Sequence, residues 1–146
     1  MSMPQKQTGA CACGSIRFSV QGDPVLAANC HCRDCQRATG SAFAPIMIFW
    51  KHDFTLLSGT MSWHEKQADT GRTMRRTFCS DCGSPIGMLN VDRPKLVYLY
   101  ASSFDDPSAY TPAMDIFMDS AQAWRTPCAG TALFDRMPPV PDDLGT

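Results

Sequence analysis

Seven cysteines gathered into three tight clusters constrain this chain more than any other feature of it. The densest cluster is Cys30-His31-Cys32-Arg33-Asp34-Cys35, closed by Gln36-Arg37-Ala38-Thr39-Gly40. In extended backbone Cys30 and Cys32 fall on one side, and a turn starting after Cys32 brings Cys35 back toward them, so the three sulfurs can face one metal ion. Three protein ligands leave tetrahedral zinc one position short, which is the difference between a catalytic or ligand-binding zinc and a structural one.

With 146 residues and 44% hydrophobic content the chain is long enough for one domain with a real core. Its 13 basic and 14 acidic residues nearly cancel, so no net field draws it to nucleic acid or to an anionic membrane, and a small partner is expected. The first ten residues are polar with no apolar signal core, and no stretch approaches the ~18 apolar residues of a membrane span. A cytoplasmic location is the resulting expectation. Thiols in a reducing compartment are more often metal ligands than disulfides, and disulfides remain the alternative. Cys11-x-Cys13 and Cys79-x-x-Cys82 are each spaced too closely for an easy mutual disulfide but well for gripping one metal together.

Short strands dominate the remaining pattern. Residues 16–20 alternate after the Cys13-Gly14 turn, and residues 25–29 form a second strand that delivers the chain to the central cysteines. A short helix is expected over 33–39 with Gly40 as its left-handed cap. Residues 42–50 make a long apolar strand in which Pro45 marks a start or an edge. Residues 54–57 and 61–64 read as a hairpin about Ser58-Gly59-Thr60, and 65–71 as a loop. Residues 72–78 run as a strand into the Cys79–Gly83 turn, 85–89 and 95–101 form a further pair, and 114–118 add a last strand. Beyond Trp124 the prolines predict a surface tail. The expected organisation is an N-terminal extension over 1–10, a zinc-binding domain over 11–125 and a proline-rich tail over 126–146, all-β and a single domain.

Cys11, Cys13, Cys79 and Cys82 make a complete tetrahedral set from two distant turns, which is the composition of a structural site. Cys30, Cys32 and Cys35 have no evident fourth partner except Cys128 or one of His31, His52 and His64. If Cys128 completes the set the site is closed; if not, water or a substrate sulfur takes the fourth position. Zinc already holding three thiolates acidifies water weakly, so a thiol or thiohemiacetal substrate suits it better than hydrolysis. Arg33 and Arg37 flank the cluster, where they can offset negative charge, hold a substrate carboxylate or lie solvated on a short helix. His31 is the nearest candidate for proton transfer, although its position between two ligands turns it away from the metal and favours a structural role. Asp34, His64 and Glu65 are weaker candidates. Trp50, Trp63, Trp124, Phe43 and Phe49 can line a pocket over the cluster or fill the core. Arg72, Arg75 and Arg76 do not make a nucleic-acid surface, because alternation puts Arg75 and Arg76 on opposite faces and no aromatics interleave them.

Taken together, Cys11-x-Cys13-Gly14, Cys30-His31-Cys32-x-x-Cys35 with Thr39-Gly40-Ser41-Ala42-Phe43, and Thr77-Phe78-Cys79-x-x-Cys82-Gly83-Ser84-Pro85-Ile86 resemble the glutathione-dependent formaldehyde-activating enzyme family, which includes the centromere protein V relatives. Asp115-Ile116-Phe117-Met118-Asp119-Ser120 and Trp124 resemble its closing strand and tryptophan. The resemblance implies coiled β-sheets of the Mss-four-like kind and two zinc ions per chain. One would be structural, on Cys11, Cys13, Cys79 and Cys82, and one catalytic in type, on Cys30, Cys32 and Cys35. It also implies a carbon–sulfur lyase that joins formaldehyde to glutathione as S-hydroxymethylglutathione, with a glutathione-like thiol as the small-molecule partner. The competing expectation is a non-catalytic zinc-binding module for protein contact or metal handling.

Overall fold

The computed structural model describes residues 5–139. Alternating apolar positions become eleven strands among these residues: β1 (Lys6–Ala10), β2 (Arg17–Gln21), β3 (Leu26–Cys30), β4 (Ala44–Trp50), β5 (Phe54–Ser58), β6 (Met61–Gln67), β7 (Thr73–Cys79), β8 (Pro85–Asn90), β9 (Leu96–Tyr100), β10 (Met114–Ile116) and β11 (Ala132–Leu133). The single α-helix, α1 (Arg33–Thr39), ends at Gly40, whose φ of 67° and N–H bond to the Gln36 carbonyl make the expected left-handed cap. The domain is all-β.

Three strands form a small sheet in the order β1-β2-β5, and eight form a large one in the order β11-β10-β3-β4-β9-β8-β7-β6. The large sheet is antiparallel except that β10 runs parallel to both β3 and β11. Pro45 pairs only with Asn29 of β3, and the β9 register begins one residue later at Ile46, so the proline sits where its missing N–H costs no ladder bond to β9.

Alternation along β4 and β9 separates two apolar faces. Met47, Phe49, Val97 and Leu99 turn toward the small sheet and enclose Phe18 and Val20 of β2. Phe18, fully buried, meets the Phe104 ring edge-on at 5.4 Å and the Phe54 ring at 5.6 Å. Ile46, Ile48, Tyr98 and Tyr100 turn to the other face, where they join Cys30, Cys35, Met74, Met88 and Ile116. That second face carries the candidate site.

The structure departs from the local sequence pattern at four places. Residues 6–10 are not an extension outside the fold, since β1 pairs along its whole length with β2 and Gly9 lies over the Phe18 ring. The hairpin over 54–64 does not form: β5 pairs with β2 and β6 with β7, so the chain crosses between sheets at Gly59. Local alternation signals the two strands, but partners distant in sequence decide the pairing. The loop expected over 65–71 starts only after Gln67, because Glu65 and Lys66 continue β6 as a polar edge. In the expected tail, β11 lies beside β10, and residues 133–136 are tied by backbone bonds to residues 115–119. Residues 140–146 of that tail lie outside the described residues.

A Cβ at Gly9 would stand 2.2 Å from Phe18 Cζ and 2.4 Å from the Ser103 carbonyl oxygen. Gly9→Ala is therefore expected to lower stability by about 1–3 kcal/mol, the usual range for overpacking a filled site. Urea denaturation checks this, and an unchanged midpoint would mean that β1 is not held against the core.

Candidate metal centres and the cavity above one of them

Two turns of the same design build the first cluster. Gly14 N–H bonds to the Cys11 carbonyl and Cys11 N–H to the Ile16 carbonyl; Gly83 and Cys79 repeat the pattern, Cys79 bonding to Ser84. Both glycines have φ near +80°, 79° and 76°, a region that costs L-residues with a Cβ about 1–2 kcal/mol. The four sulfurs lie within 4.8 Å of one another. The Ile16 amide donates to Cys11 Sγ at 3.2 Å, and Ser15 Oγ sits 3.2 Å from Cys13 Sγ and 3.3 Å from Cys79 Sγ. The Ser84 hydroxyl and amide beside Cys82 lower its thiol to about 5. These are donors arranged around sulfur that carries negative charge.

The second cluster forms where β3 ends and α1 begins. Cys30 closes β3, Cys32 is the N-cap residue whose sulfur accepts the Cys35 amide at 3.3 Å, and Cys35 lies in the first turn. The three sulfurs also fall within 4.8 Å of one another, with Cys30 and Cys35 buried. Crowding splits their acidities. Contacts from Cys30 and Cys35 hold Cys32 down to about 2, while contact with Cys32 raises Cys30. Cys30 lowers Cys35, but Cys32 and burial outweigh it and push Cys35 up to about 12. Three thiolates this close repel one another, a repulsion that a cation bound among them would offset. Both clusters can hold a metal ion.

His31 faces away from the sulfurs, as alternation requires. It is 1% exposed, its ring packs 5.5 Å from that of Phe43, and Nε2 donates to Asp115 Oδ1 at 2.6 Å. Burial opposes ionisation of Asp115, but hydrogen bonds from His31, Thr131 and Asn29 outweigh it and keep its pKa below the ordinary carboxylate value. Gln36 of α1 donates to the His31 carbonyl at 2.6 Å and to the Ser120 carbonyl at 3.0 Å, which pins the cysteine loop to the chain leaving β10.

Cys128 does not join the cluster. Its sulfur is 3.9 Å from Asn29 Nδ2 and 3.7 Å from Arg125 Nη2, and Asn29 precedes Cys30 on β3, so it points to the opposite face of the sheet. No histidine joins either. The open side of the three sulfurs gives onto a cavity of about 640 Å³. Two polar groups approach from the sheet beside the sulfurs. Arg76 Nη2 lies 3.9 Å from Cys35 Sγ, and the buried Arg76 Nε and Tyr100 Oη have no hydrogen-bond partner among the described residues. Burial, with the Cys35 sulfur nearby, raises the Tyr100 phenol well above its ordinary range, and Tyr100 stands behind the cavity lining at 2% exposure.

The other sequence candidates scatter. Arg33 and Asp34 reach the cavity, where Arg33 donates to Gln36 and Asp34 pairs with Lys66. Arg37 and His64 do not line it, and Glu65 pairs with Arg75 at 2.7 Å on the outer face. None of the five aromatics considered over the cluster lines the cavity: Phe49 is core, Phe43 packs on His31, Trp50 stacks on His52, and Trp63 and Trp124 are 55% and 72% exposed. Arg76, Tyr100 and Asp115 were the residues not singled out as site residues. Their signals were present, since Arg76 shares the inward face with Met74, and Tyr100 and Asp115 interrupt buried apolar strands.

Residues 6–120 match the glutathione-dependent formaldehyde-activating enzyme family profile. The chain belongs to the glutathione-dependent formaldehyde-activating enzyme family. A Halomonas elongata protein provisionally named for that activity is 27% identical over 121 residues, covering 80% of this chain and 77% of its own. A crystal structure of a Rhodobacter sphaeroides protein shares the fold at a TM-score of 0.51 and 19% identity, covering 67% of this chain and 87% of its own. The match to the family ends at residue 120, so the segment that carries Cys128 and β11 lies beyond it. No described helix is long and apolar enough to cross a membrane.

Two outcomes test this assignment of partners. Cys128→Ser is expected to leave the metal content per chain unchanged, read by elemental analysis of purified protein. Asp115→Ala leaves His31 and Thr131 facing an empty buried site and is expected to cost about 3–5 kcal/mol, the range for breaking a buried hydrogen-bonded charge, as measured by chemical denaturation.

Proposed function

We propose that this chain is a zinc-dependent carbon–sulfur lyase or synthase that makes or breaks the bond between a thiol sulfur and the carbonyl carbon of a small aldehyde, as in S-hydroxymethylglutathione. The observation that carries it is the three-sulfur cluster, left open by the exclusion of Cys128, facing a cavity whose lining includes the Arg76 guanidinium, with one buried nitrogen, Nε, lacking a partner among the described residues. Family membership supports the chemistry and a thiol partner. The reading has two zinc ions per chain. Cys11, Cys13, Cys79 and Cys82 would hold a structural one, and Cys30, Cys32 and Cys35 a second that, when bound, stabilises a substrate thiolate and polarises the adjacent centre. Eight free thiols fit a reducing, cytoplasmic setting.

The chain's own groups divide the remaining work. In the synthetic direction the thiol loses its proton, sulfur adds to the carbonyl carbon, and the carbonyl π electrons move to oxygen, which takes up a proton; cleavage reverses each change. Arg76, which lines the cavity beside the sulfurs, donates a hydrogen bond to that oxygen as charge develops on it. Arg76 lies against Cys35 and offsets the negative charge gathered on the sulfurs. His31 acts as a positioning residue: held by Asp115, it sets the backbone that places Cys30 and Cys32 on one side.

Purified protein is expected to hold two zinc ions per chain, as two separate sites require. Cys30→Ser, Cys32→Ser and Cys35→Ser should each lose one zinc and the turnover of a thiol–formaldehyde adduct while keeping the β-sheet circular dichroism. Retained turnover in all three would overturn the proposal. Arg76→Met should lower kcat roughly 10²-fold, as for loss of one oxyanion donor, with two zinc ions per chain retained by elemental analysis.

A further inference from the structure

The arginines of this chain gather at one cavity. Five of its nine, Arg33, Arg72, Arg76, Arg93 and Arg136, line the space over the three sulfurs, and none of its lysines does. A planar guanidinium fork meets a carboxylate with two parallel hydrogen bonds, which a lysine ammonium cannot do. Three of the five are committed where they stand: Arg76 lies against Cys35, Arg33 donates to Gln36, and Arg136 pairs with Asp119 at 3.5 Å.

Arg72 and Arg93 stand together at the other end. Arg72 leads into β7, in the alternation Arg72, Met74, Arg76 that keeps one face toward the cavity, and Arg93 belongs to the turn between β8 and β9. That turn is firmly built. Buried Asn90 accepts the Asp92 amide on Oδ1 at 3.0 Å, Arg93 N–H bonds to the Asn90 carbonyl at 2.9 Å, and Val91 N–H ties the turn to the carbonyl of Thr73, the neighbour of Arg72. Tyr98, also in the lining, lies within reach of the same groups. Burial raises its phenol, while an Asn90 hydrogen bond and the charges of Arg93 and Arg72 act against that rise. Among the described residues Arg72 has no ion-pair partner.

Between the two ends the floor is carbon and thioether sulfur, Ile48, Met74 and Met88. Phe134, Met137 and Pro138, from the chain beyond residue 120, wall the cavity, held by the Phe134 N–H bond to the Asp115 carbonyl. Four residues of strand separate Arg72 from Arg76, roughly 13 Å at the usual rise. Three residues of extended peptide reach about 10 Å, and a guanidinium can close the remainder. Resting on the open-site reading above, we infer that Arg72 and Arg93 form a carboxylate subsite, where a thiol held through sulfur at the three cysteines is gripped a second time by an anionic group about a tripeptide's length away. The pair sets specificity by reach. A short mercapto acid bound through its sulfur leaves its carboxylate over the apolar floor, short of both arginines.

The test uses full-length protein carrying Co²⁺ in place of zinc, whose sulfur-to-metal absorption reports a new thiolate ligand without turnover. The thiols 3-mercaptopropionate, 8-mercaptooctanoate and glutathione are each titrated beside their methyl esters, so that the acid-to-ester ratio of affinities isolates the carboxylate. That ratio is expected to stay below about threefold for the short acid and to reach roughly tenfold or more for the two long ones, the usual worth of hydrogen bonds to a charged group. Arg72→Gln and Arg93→Gln should each bring the long-acid ratio below about threefold while leaving the affinity for the esters unchanged. Equal ratios at both lengths, or a long-acid ratio that survives either substitution, would overturn the subsite and leave the open site standing. If no thiol, acid or ester, alters the spectrum, the open-site reading itself falls, and this inference with it.

Discussion

The hydrogen bond between His31 Nε2 and Asp115 Oδ1 fixes the site from beneath. A carboxylate with 0% exposure is tolerable only when donors surround it, and those donors come from three parts of the chain. His31 belongs to the cysteine loop, Asn29 to β3, and Thr131 to the segment running into β11. One buried acid therefore couples the sulfur-bearing turn to the parallel strand β10 and to the cavity's far wall. The loop cannot shift without leaving a charge unsatisfied.

The two cysteine clusters differ in what surrounds them. Around Cys11, Cys13, Cys79 and Cys82 the donors are backbone amides and serine hydroxyls, two of the four residues are exposed, and none of the four lines the cavity described above. Around Cys30, Cys32 and Cys35 the neighbours are an arginine, a buried phenol and an apolar floor. The first arrangement satisfies its sulfurs internally and closes one end of the interface between the two sheets. The second leaves coordination and hydrogen-bonding capacity directed at whatever enters the cavity.

Much of the site was legible because cysteine spacing is a local signal. The Cys11-x-Cys13 and Cys79-x-x-Cys82 spacings, the grouping of Cys30, Cys32 and Cys35, and the outward turn of His31 follow from short-range geometry, while the joining of the two distant pairs follows from counting ligands, two from each for a set of four. The α1 helix and its Gly40 cap are local as well. What escaped depended on distant partners. β5 and β6 were recognisable as strands, yet their separation into different sheets is decided by β2 and β7. The polar residues 6–10 carry no core pattern, and their place follows from the exposed edge of β2. The wall from Phe134 to Pro138 hides in a proline-rich composition that signals only the absence of regular structure.

The strand β6 carries a consequence for how the molecule behaves among its own copies. It is the outermost strand of the large sheet, so one row of its amides and carbonyls has no neighbouring strand, and such a row is a template for another chain. Its sequence blunts that template. Glu65 is held by Arg75, Lys66 reaches over to Asp34 on α1, and the indole of Trp63 lies under the Arg75 guanidinium at 4.7 Å. A second strand docking there would have to strip water from charges already committed to partners within the chain. The polar run that imitates a loop in the sequence thus guards an eight-stranded sheet against growing by a ninth strand from a neighbour.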